Sequence, residues 1–227
     1  MMKKNYCLAL LICFVMIFAL AACGKSAEDA AGTAAANKKG KVETVESKVL
    51  VVFFSRTGEQ YGVGKIDKGN TAIAAGMIAE AAGADTFELM PQKDYYPYTY
   101  DALTSLAKKE LNDNARPAYA GTVPDLQQYD TVFIGAPVWW GDWPMICYTF
   151  FENNADALAG KTLIPFSTHE GSGLSGFDRR LAAALPKSKV GKGLAISGTG
   201  AQRNQERVRR SVNDWLAGLG IQGSKNR

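Results

Sequence analysis

Residues that can do chemistry follow three of the apolar runs in this sequence. Ser55-Arg56-Thr57-Gly58 comes after the first run, and a Gly-rich insertion, residues 59–69, separates it from Asn70-Thr71. Hydroxyl groups, a glycine that permits close backbone approach and a helix N-terminus together make a cradle for phosphate. The alternative is a capped polar turn, which Ser, Thr and Asn also form. The segment lacks both the Gly-Lys-Ser/Thr ending of a nucleoside triphosphate loop and the G-x-G-x-x-G pattern of a dinucleotide site.

A tryptophan-rich segment follows the third apolar run. It reads Pro137-Val138-Trp139-Trp140-Gly141-Asp142-Trp143, and it holds three of the 4 tryptophans in the chain. Large aromatic side chains at a strand end can stack on a planar ligand and form an apolar wall. We predict ligand contact for Trp139 and Trp140. For Trp143 we predict packing against neighbouring helices.

The segment after the fourth apolar run, Thr168-His169-Glu170-Gly171-Ser172-Gly173, contains the 1 histidine of the chain. Small residues and backbone amides are what a chain needs in order to lie against the edge of a ligand, although the Gly-Ser-Gly could also be a hinge. A lone histidine with no Cys or His neighbours does not predict a metal site. We predict no metal ligand and no catalytic residue in the chain.

The apolar runs themselves predict an α/β fold. We expect strands at residues 48–54, 84–90, 131–136, 161–167 and 190–197, and helices at residues 70–83, 101–112, 144–151 and 174–185. Asn70 is expected to cap the first helix. A last helix is expected where Val208, Val212, Trp215, Leu216 and Leu219 share one face. Strands that alternate with helices predict a parallel sheet with helices on both faces, and ligands bind such sheets beyond the carboxyl ends of the strands.

The composition excludes several classes of protein. Of 227 residues, 47% are hydrophobic and 21% are charged, and the mean hydropathy is −0.12. These values are typical of a globular protein, and not of a disordered, collagen-like or multi-span membrane chain. A formal net charge of +4 without a basic cluster gives no reason to expect a nucleic acid partner. No group of Cys and His has the spacing of a structural zinc site.

The N-terminus predicts export and a membrane anchor. Lys3 and Lys4 precede an uncharged apolar run at residues 6–22, which is typical of a signal peptide, although a membrane-spanning anchor is the alternative. Leu20-Ala21-Ala22-Cys23 resembles the bacterial lipobox, so we predict a signal peptide at residues 1–22 and lipidation of Cys23. Residues 23–47 would form a flexible tether on the extracytoplasmic face of the cell envelope. Cys147 would then be the only free thiol, with no intrachain disulfide.

Residues 47–201 resemble the flavodoxin family, and more closely the flavodoxin-like bacterial lipoproteins. The matching segments are FFSRTG…GNT, YDTVFIGAPVWWGDWP and PFSTHEGSG, in the family's order and at the ends of the expected strands. The resemblance implies that residues 48–227 form a flavodoxin-like domain, a three-layer sandwich whose five-stranded parallel sheet has the order 2-1-3-4-5. It also implies one bound FMN as the cofactor.

The resemblance also implies the residues that contact FMN. The phosphate would be held by Ser55, Arg56, Thr57, Gly58, Asn70 and Thr71. The isoalloxazine ring would be flanked by Pro137, Val138, Trp139, Trp140 and Gly141, and by Thr168, His169, Gly171, Ser172 and Gly173. Asp142 and Glu170 are the nearest acidic residues in the sequence that could lower the flavin potential, unless both are surface charges.

The function implied is electron transfer by FMN outside the cytoplasm, with a redox protein or a small-molecule electron donor or acceptor as the partner. One alternative is an FMN-dependent NAD(P)H or quinone oxidoreductase. Another is a lipoprotein without redox activity that binds a ligand or a partner through the same crevice. A tyrosine-phosphatase loop is excluded, because the residue six positions after Cys147 is Asn153 and not arginine.

Overall fold

A computed structural model of the chain describes residues 48–93 and 95–221. The predicted signal peptide, the lipidation site Cys23 and the tether lie outside these residues. The strands are β1 (Lys48–Phe53), β2 (Gly58–Gln60), β3 (Gly64–Ile66), β4 (Asp85–Glu88), β5 (Met90–Pro91), β6 (Tyr119–Ala120), β7 (Tyr129–Pro137), β8 (Thr162–His169), β9 (Lys189–Val190) and β10 (Leu194–Ser197). The helices are α1 (Asn70–Ala82), α2 (Tyr100–Asn112), α3 (Met145–Asn153), α4 (Ala155–Leu158), α5 (Phe177–Ala184), α6 (Gly198–Arg203) and α7 (Gln205–Gly218). Among the described residues, no helix is both long enough and apolar enough to span a membrane.

The central sheet has the strand order β10-β8-β7-β1-β4, and each of these pairings is parallel. Numbered along the chain, these strands stand in the order 2-1-3-4-5, so the predicted topology is confirmed. The strand predicted at residues 190–197 is interrupted between β9 and β10, which both pair with β8. A Cβ on Gly193 would lie 2.7 Å from the Leu174 side chain and 2.8 Å from the Pro165 carbonyl oxygen, so the chain passes too close there for any other residue.

Two layers of helices cover the sheet, because its middle strands are apolar on both faces. On one face, Phe133 and Ile164 pack with α1 and α7; on the other, Ile134 and Leu163 pack with α3 and α5. The predicted stripe on the last helix is confirmed, since Val208, Val212, Trp215 and Leu216 of α7 are buried. The carboxyl ends of the parallel strands therefore form one rigid edge, and the three chemistry-bearing segments leave the sheet at that edge.

Helix α1 begins differently from the prediction. Gly69 is the N-cap, and Asn70 is the first helical residue rather than the cap. The hydroxyl of Ser55 accepts a hydrogen bond from the N–H of Ala72 at 2.9 Å, which is the bond that a capping side chain would make. A Cβ on Gly69 would lie 2.2 Å from Ser55 Oγ. Glycine is therefore required where the loop after β1 crosses the helix N-terminus.

The insertion at residues 59–69 folds into an antiparallel hairpin of β2 and β3. Glu59 attaches this hairpin to the segment before α2: its N–H donates to the Tyr98 carbonyl at 3.1 Å, and its carboxylate accepts from the N–H of Tyr100 at 2.9 Å. Gly58 has a φ of +89°, and a Cβ there would lie 2.7 Å from the Tyr98 carbonyl oxygen. The insertion therefore has a fixed place beside the carboxyl edge of the sheet.

Candidate functional site

A cavity of about 450 Å³ lies at the carboxyl edge of the sheet, and we call it the aromatic cavity. Eight residues that the sequence predicted for the site line it: Asn70, Pro137, Val138, Trp139, Trp140, Thr168, His169 and Ser172. They come from α1, from the end of β7 and its loop, and from the end of β8 and its loop. The structure therefore brings together parts of all three predicted segments, because parallel strands direct their carboxyl ends to the same edge.

The remaining predicted residues lie around this cavity without lining it. Ser55, Arg56 and Thr57 line a neighbouring cavity of about 490 Å³ that also borders residues 95–98. Gly58 is buried under Tyr98. Among the loop glycines, Gly141 and Gly173 accept hydrogen bonds from Ser175 and Ser167, and Gly171 donates one to His169.

Arg56 is held by backbone carbonyls. Its guanidinium donates to the carbonyl oxygens of Pro97, Tyr98 and Glu59, with a distance of 2.7 Å for Glu59. Burial lowers the pKa of Arg56, and the nearby Glu59 partly opposes this. A guanidinium has five N–H donors in one plane, and here they fasten the segment before α2 to the loop after β1. The structure thus shows Arg56 linking these two segments, and its predicted contact with a phosphate stays a prediction.

The N-terminus of α1 can receive an anion. The backbone N–H groups of Asn70 and Thr71 have no hydrogen-bond acceptor within the described residues. Ser55 uses its hydroxyl oxygen as an acceptor, which leaves its O–H free to donate. Thr71 is 1% exposed, and its hydroxyl is 2.7 Å from that of Thr168. This buried hydroxyl pair ties α1 to the end of β8.

Trp139 and Trp140 stand on a tight turn. The backbone groups of Trp139 and Asp142 exchange two hydrogen bonds of 3.0 Å. Trp140 and Gly141 between them have φ values of +53° and +78°, which is the pattern of a type I′ turn. A tryptophan with positive φ costs about 1–3 kcal/mol, so contacts elsewhere must hold it there.

Contacts with α2 and with the core hold the two rings. Trp140 is 55% exposed, its Nε1 donates to the Thr104 carbonyl at 2.9 Å, and Lys108 Nζ is 4.9 Å from the ring centroid. The Trp139 ring packs edge-on against Phe54 at a centroid distance of 5.3 Å and against Tyr96 at 5.1 Å. Trp139 is therefore a rigid wall of the cavity, and Trp140 closes the opening between the loop and α2.

Asp142 supports this turn and does not line the aromatic cavity. Its carboxylate accepts from the N–H of Trp143 at 2.7 Å and from the hydroxyl of Tyr148 at 3.0 Å, and it pairs with Arg180 at 2.9 Å. Trp143 is 1% exposed and stacks on Phe177 at 3.7 Å, so the predicted packing role of Trp143 is confirmed. Of the two acidic residues named from the sequence, only Glu170 lines the cavity.

His169 and Glu170 form the opposite wall. His169 Nδ1 accepts from the N–H of Gly171 at 2.9 Å. Burial lowers the pKa of His169, and Glu170 opposes this, so the ring is neutral at pH 7 and carries its proton on Nε2. Glu170 accepts hydrogen bonds from the N–H and the hydroxyl of Thr199, which fixes the carboxylate against the start of α6.

The sequence did not predict several residues that line the aromatic cavity. They are Gln60, Tyr61, Tyr100, Leu103, Thr104 and Ala107. Gln60 and Tyr61 come from the inserted hairpin, where the Tyr61 ring is 6.0 Å from that of Tyr100. The other residues come from the start and first turns of α2. Only the aromatic type of the two tyrosines could have indicated a role, because nothing in the sequence shows that the hairpin folds back toward the strand ends.

A buried carboxylate lies behind Trp139. Glu110 of α2 is 3% exposed; its Oε2 accepts from the Tyr96 hydroxyl at 3.3 Å, and its Oε1 has no hydrogen-bond partner within the described residues. Burial raises the pKa of Glu110, and the hydroxyls of Tyr95 and Tyr96 act in the opposite direction. The Tyr96 ring also packs against Trp139. The Tyr96 side chain therefore lies between the Glu110 carboxyl group and Trp139 in the wall of the cavity.

A comparison with known families agrees with this geometry. A family model described as Flavodoxin matches residues 48–216, which is most of the chain. The chain belongs to the flavodoxin family. The family match spans the whole central sheet and all three segments that form the aromatic cavity.

Solved structures resemble this flavodoxin over most of its length. A candidate flavoprotein from Bacteroides eggerthii is 30% identical, with 78% of this chain and 99% of that chain covered and a TM-score of 0.59. Another from Bacteroides uniformis is 32% identical, with 75% and 98% covered and the same TM-score of 0.59. A flavoprotein from Lactobacillus acidophilus, solved in complex with FMN, is 17% identical with 70% and 99% covered and a TM-score of 0.54, and it supports the fold alone. No curated protein matches the chain.

Proposed function

We propose that this flavodoxin binds FMN in the aromatic cavity and transfers electrons on the extracytoplasmic face of a membrane to which Cys23 anchors it. The observation that carries the proposal is the composition of the cavity. Asn70 lines the cavity at the start of α1, where the backbone N–H groups of Asn70 and Thr71 have no acceptor within the described residues. The Trp139 and Trp140 side chains line the same cavity. An anion fits the start of α1, and a planar ring fits beside the two tryptophans.

The residues present fit FMN in both chemistry and size. A cavity of about 450 Å³ is within the range of cofactor sites. Asn70 lines the aromatic cavity and would hold the phosphate at the start of α1, together with the N–H of Thr71 and the O–H of Ser55, which borders the neighbouring cavity. Trp139 and Trp140 would contact the ring. A flavoprotein from Lactobacillus acidophilus that shares this fold was solved in complex with FMN.

FMN would supply one-electron and two-electron redox chemistry, and the protein's part is to bind it and set its surroundings. Trp139 excludes water from one side of the cavity, because Phe54 and Tyr96 hold its ring in place. His169 offers a neutral imidazole with one N–H donor at Nε2. Glu170 brings a fixed negative charge to the same wall. A fixed carboxylate disfavours added negative charge nearby, so Glu170 would lower the potential of a bound flavin.

The test of FMN binding uses the full chain purified in a neutral detergent. We expect flavin absorbance bands, and quenching of FMN fluorescence on titration of the apoprotein. Trp140→Ala should weaken FMN about 10-fold, since an aromatic pair contributes about 0.5–1.5 kcal/mol beyond its buried area. Asn70→Ala tests the phosphate end, and Asn213→Ala, an exposed change on α7 outside the cavity, is the matched control. A chain that stays colourless with excess FMN would contradict the proposal.

The anchor and the electron-transfer role need separate measurements. Metabolic labelling with a fatty acid should mark the chain, and Cys23→Ala should abolish the label and release the protein from the membrane. Protease added to intact cells should degrade the domain. In the FMN-loaded protein we expect reversible reduction by a chemical donor and no steady-state consumption of NADH or NADPH. Sustained turnover of either nucleotide would instead assign the protein as a reductase.

A further inference from the structure

A cavity of about 400 Å³ lies beside β10, between the end of that edge strand and helices α6 and α7. We call it the arginine cavity. Its charged lining residues are Arg203, the last residue of α6, and Arg207, in the first turn of α7. The hydroxyl or amide groups of Ser197, Thr199, Asn204 and Ser211 also line it, and no acidic side chain does. The cavity thus presents two positive charges among hydrogen-bonding groups.

The neighbouring arginines show that this arrangement is specific to Arg203 and Arg207. Arg209 pairs with Glu80, and Arg210 pairs with Glu206. Within the described residues, the guanidinium groups of Arg203 and Arg207 make no ion pair and no hydrogen bond. Of these four arginines, the two that line the cavity are therefore the two that keep their donors free.

The backbone does not supply the positive charge. The N–H of Gly200 donates to Ser197 Oγ at 2.9 Å, and the N–H of Thr199 donates to Glu170. The N–H of Arg207 is directed at Asn204 Oδ1 at 3.4 Å. Since these groups are occupied, an anion in the cavity would be bound by the two side chains. Guanidinium groups form bidentate bonds with phosphate, which makes arginine suited to this task.

We propose that the arginine cavity is a binding site for the phosphate group of a small ligand. The site does not depend on the assignment of FMN. It is nevertheless adjacent to the aromatic cavity, because Thr199 lines the one and holds Glu170 in the wall of the other. A phosphate-bearing ligand bound here would be separated from the aromatic cavity by this pair of side chains.

The experiment titrates the full chain, in neutral detergent at constant ionic strength, with inorganic pyrophosphate. Binding is followed by calorimetry and by the NMR shifts of the arginine side chains. We expect saturable binding that shifts the Arg203 and Arg207 side-chain resonances, separate from any pyrophosphate bound at the N-terminus of α1. Arg203→Gln and Arg207→Gln should each weaken binding about 10-fold, the loss that one charge-assisted hydrogen bond produces. Both side chains are exposed, so we expect both variants to fold, and their unfolding midpoints are measured to verify it.

Arg209→Gln is the matched control, because it removes one positive charge from α7, the helix that carries Arg207, at a position outside the arginine cavity. It should leave pyrophosphate affinity unchanged within about twofold. An equal loss of pyrophosphate affinity in Arg209→Gln would mean that the net charge alone attracts the anion, and it would overturn the proposal. Absence of saturable binding would overturn it as well.

A second titration distinguishes a soluble phosphate from a lipid headgroup. Phosphatidylglycerol is added to the neutral micelles in place of pyrophosphate. We expect pyrophosphate to shift the Arg203 and Arg207 resonances at lower concentration than the lipid does, which assigns the site to a soluble ligand. If only the lipid shifts these resonances, the proposal of a small-ligand site is wrong, and the surface around the arginine cavity contacts the membrane instead.

Discussion

Replacing Glu110 by glutamine should stabilise the protein at neutral pH. The carboxylate is 3% exposed, one of its oxygens has a single tyrosine partner, and the other has none within the described residues. Glutamine has nearly the same shape, keeps an oxygen for the Tyr96 hydroxyl, and cannot become charged. The variant therefore removes the cost of a buried charge while leaving the packing of α2 intact.

The sign of the pH dependence follows from the raised pKa of Glu110. In the unfolded chain a glutamate loses its proton near a pKa of about 4.3. Between that value and the higher pKa of the folded state, the folded protein keeps a proton that the unfolded chain has lost. The free energy of unfolding then falls as pH rises, and it stays lower above the folded pKa. At low pH both states are protonated, and the contribution disappears.

We expect Glu110→Gln to raise the free energy of unfolding at pH 8 by about 1–3 kcal/mol, because the amide, although its NH2 takes the position of the unpartnered Oε1, carries no charge that must be buried. The gain should shrink toward zero at pH 4. Urea denaturation followed by tryptophan fluorescence at pH 4, 6 and 8 measures both quantities.

Glu206→Gln is the control, because Glu206 is exposed and its pair with Arg210 lies on the surface of α7. It should change stability by less than about 1 kcal/mol at any of these pH values. The reasoning is refuted if Glu110→Gln is destabilising at pH 8, or if its effect is the same at pH 4 and pH 8. Either result would mean that the carboxylate has a partner in solution that compensates its charge.

Four further substitutions test the packing in and around the site. Thr71→Val and Thr168→Val should each destabilise the protein by about 1–3 kcal/mol by leaving one buried hydroxyl unpaired, whereas the double variant should cost less than the sum; a double-mutant cycle in urea with a coupling energy near zero would contradict the 2.7 Å bond. Gly135→Ala should prevent stable folding, because its Cβ would lie 2.0 Å from the Phe166 ring; a circular dichroism melt like that of the parent would disprove this close packing. Trp143→Ala should cost about 3–5 kcal/mol, the usual loss for a buried tryptophan, and a change below about 1 kcal/mol in the same assay would exclude its stacking on Phe177.

The strands and helices were predictable from the sequence because local patterns dictate them, whereas the strand order was implied by the resemblance to the flavodoxin family. The run at residues 48–54 is apolar throughout, as a strand covered on both faces requires, and β1 is central in the sheet. The stripe of Val208, Val212, Trp215 and Leu216 has the helical period, and α7 buries it. In both cases the spacing of the apolar residues carries the information, and the structure confirms it.

Predictions about the ends of elements were less accurate. Asn70 is a good capping residue by type, yet the cap of α1 comes from Ser55, which lies 17 positions from Ala72 in the chain. Carbonyl groups from the segment before α2 hold the guanidinium of Arg56, and the predicted contact of Arg56 with a phosphate stays a prediction. Both outcomes depend on a partner that is distant in sequence, and periodicity contains no information about such partners.

By itself, the sequence determined the α/β class and the three segments that follow strand ends, because apolar period and turn chemistry are local properties. The strand order was implied by the resemblance to a known family. Only the tertiary structure decided which side chains share the aromatic cavity and that the inserted hairpin brings Tyr61 to it. It also decided that, within residues 48–93 and 95–221, Arg203 and Arg207 lack the acidic partners that Arg209 and Arg210 have. Those facts depend on distances between residues far apart in the chain, and such distances exist only once the helices have packed on the sheet.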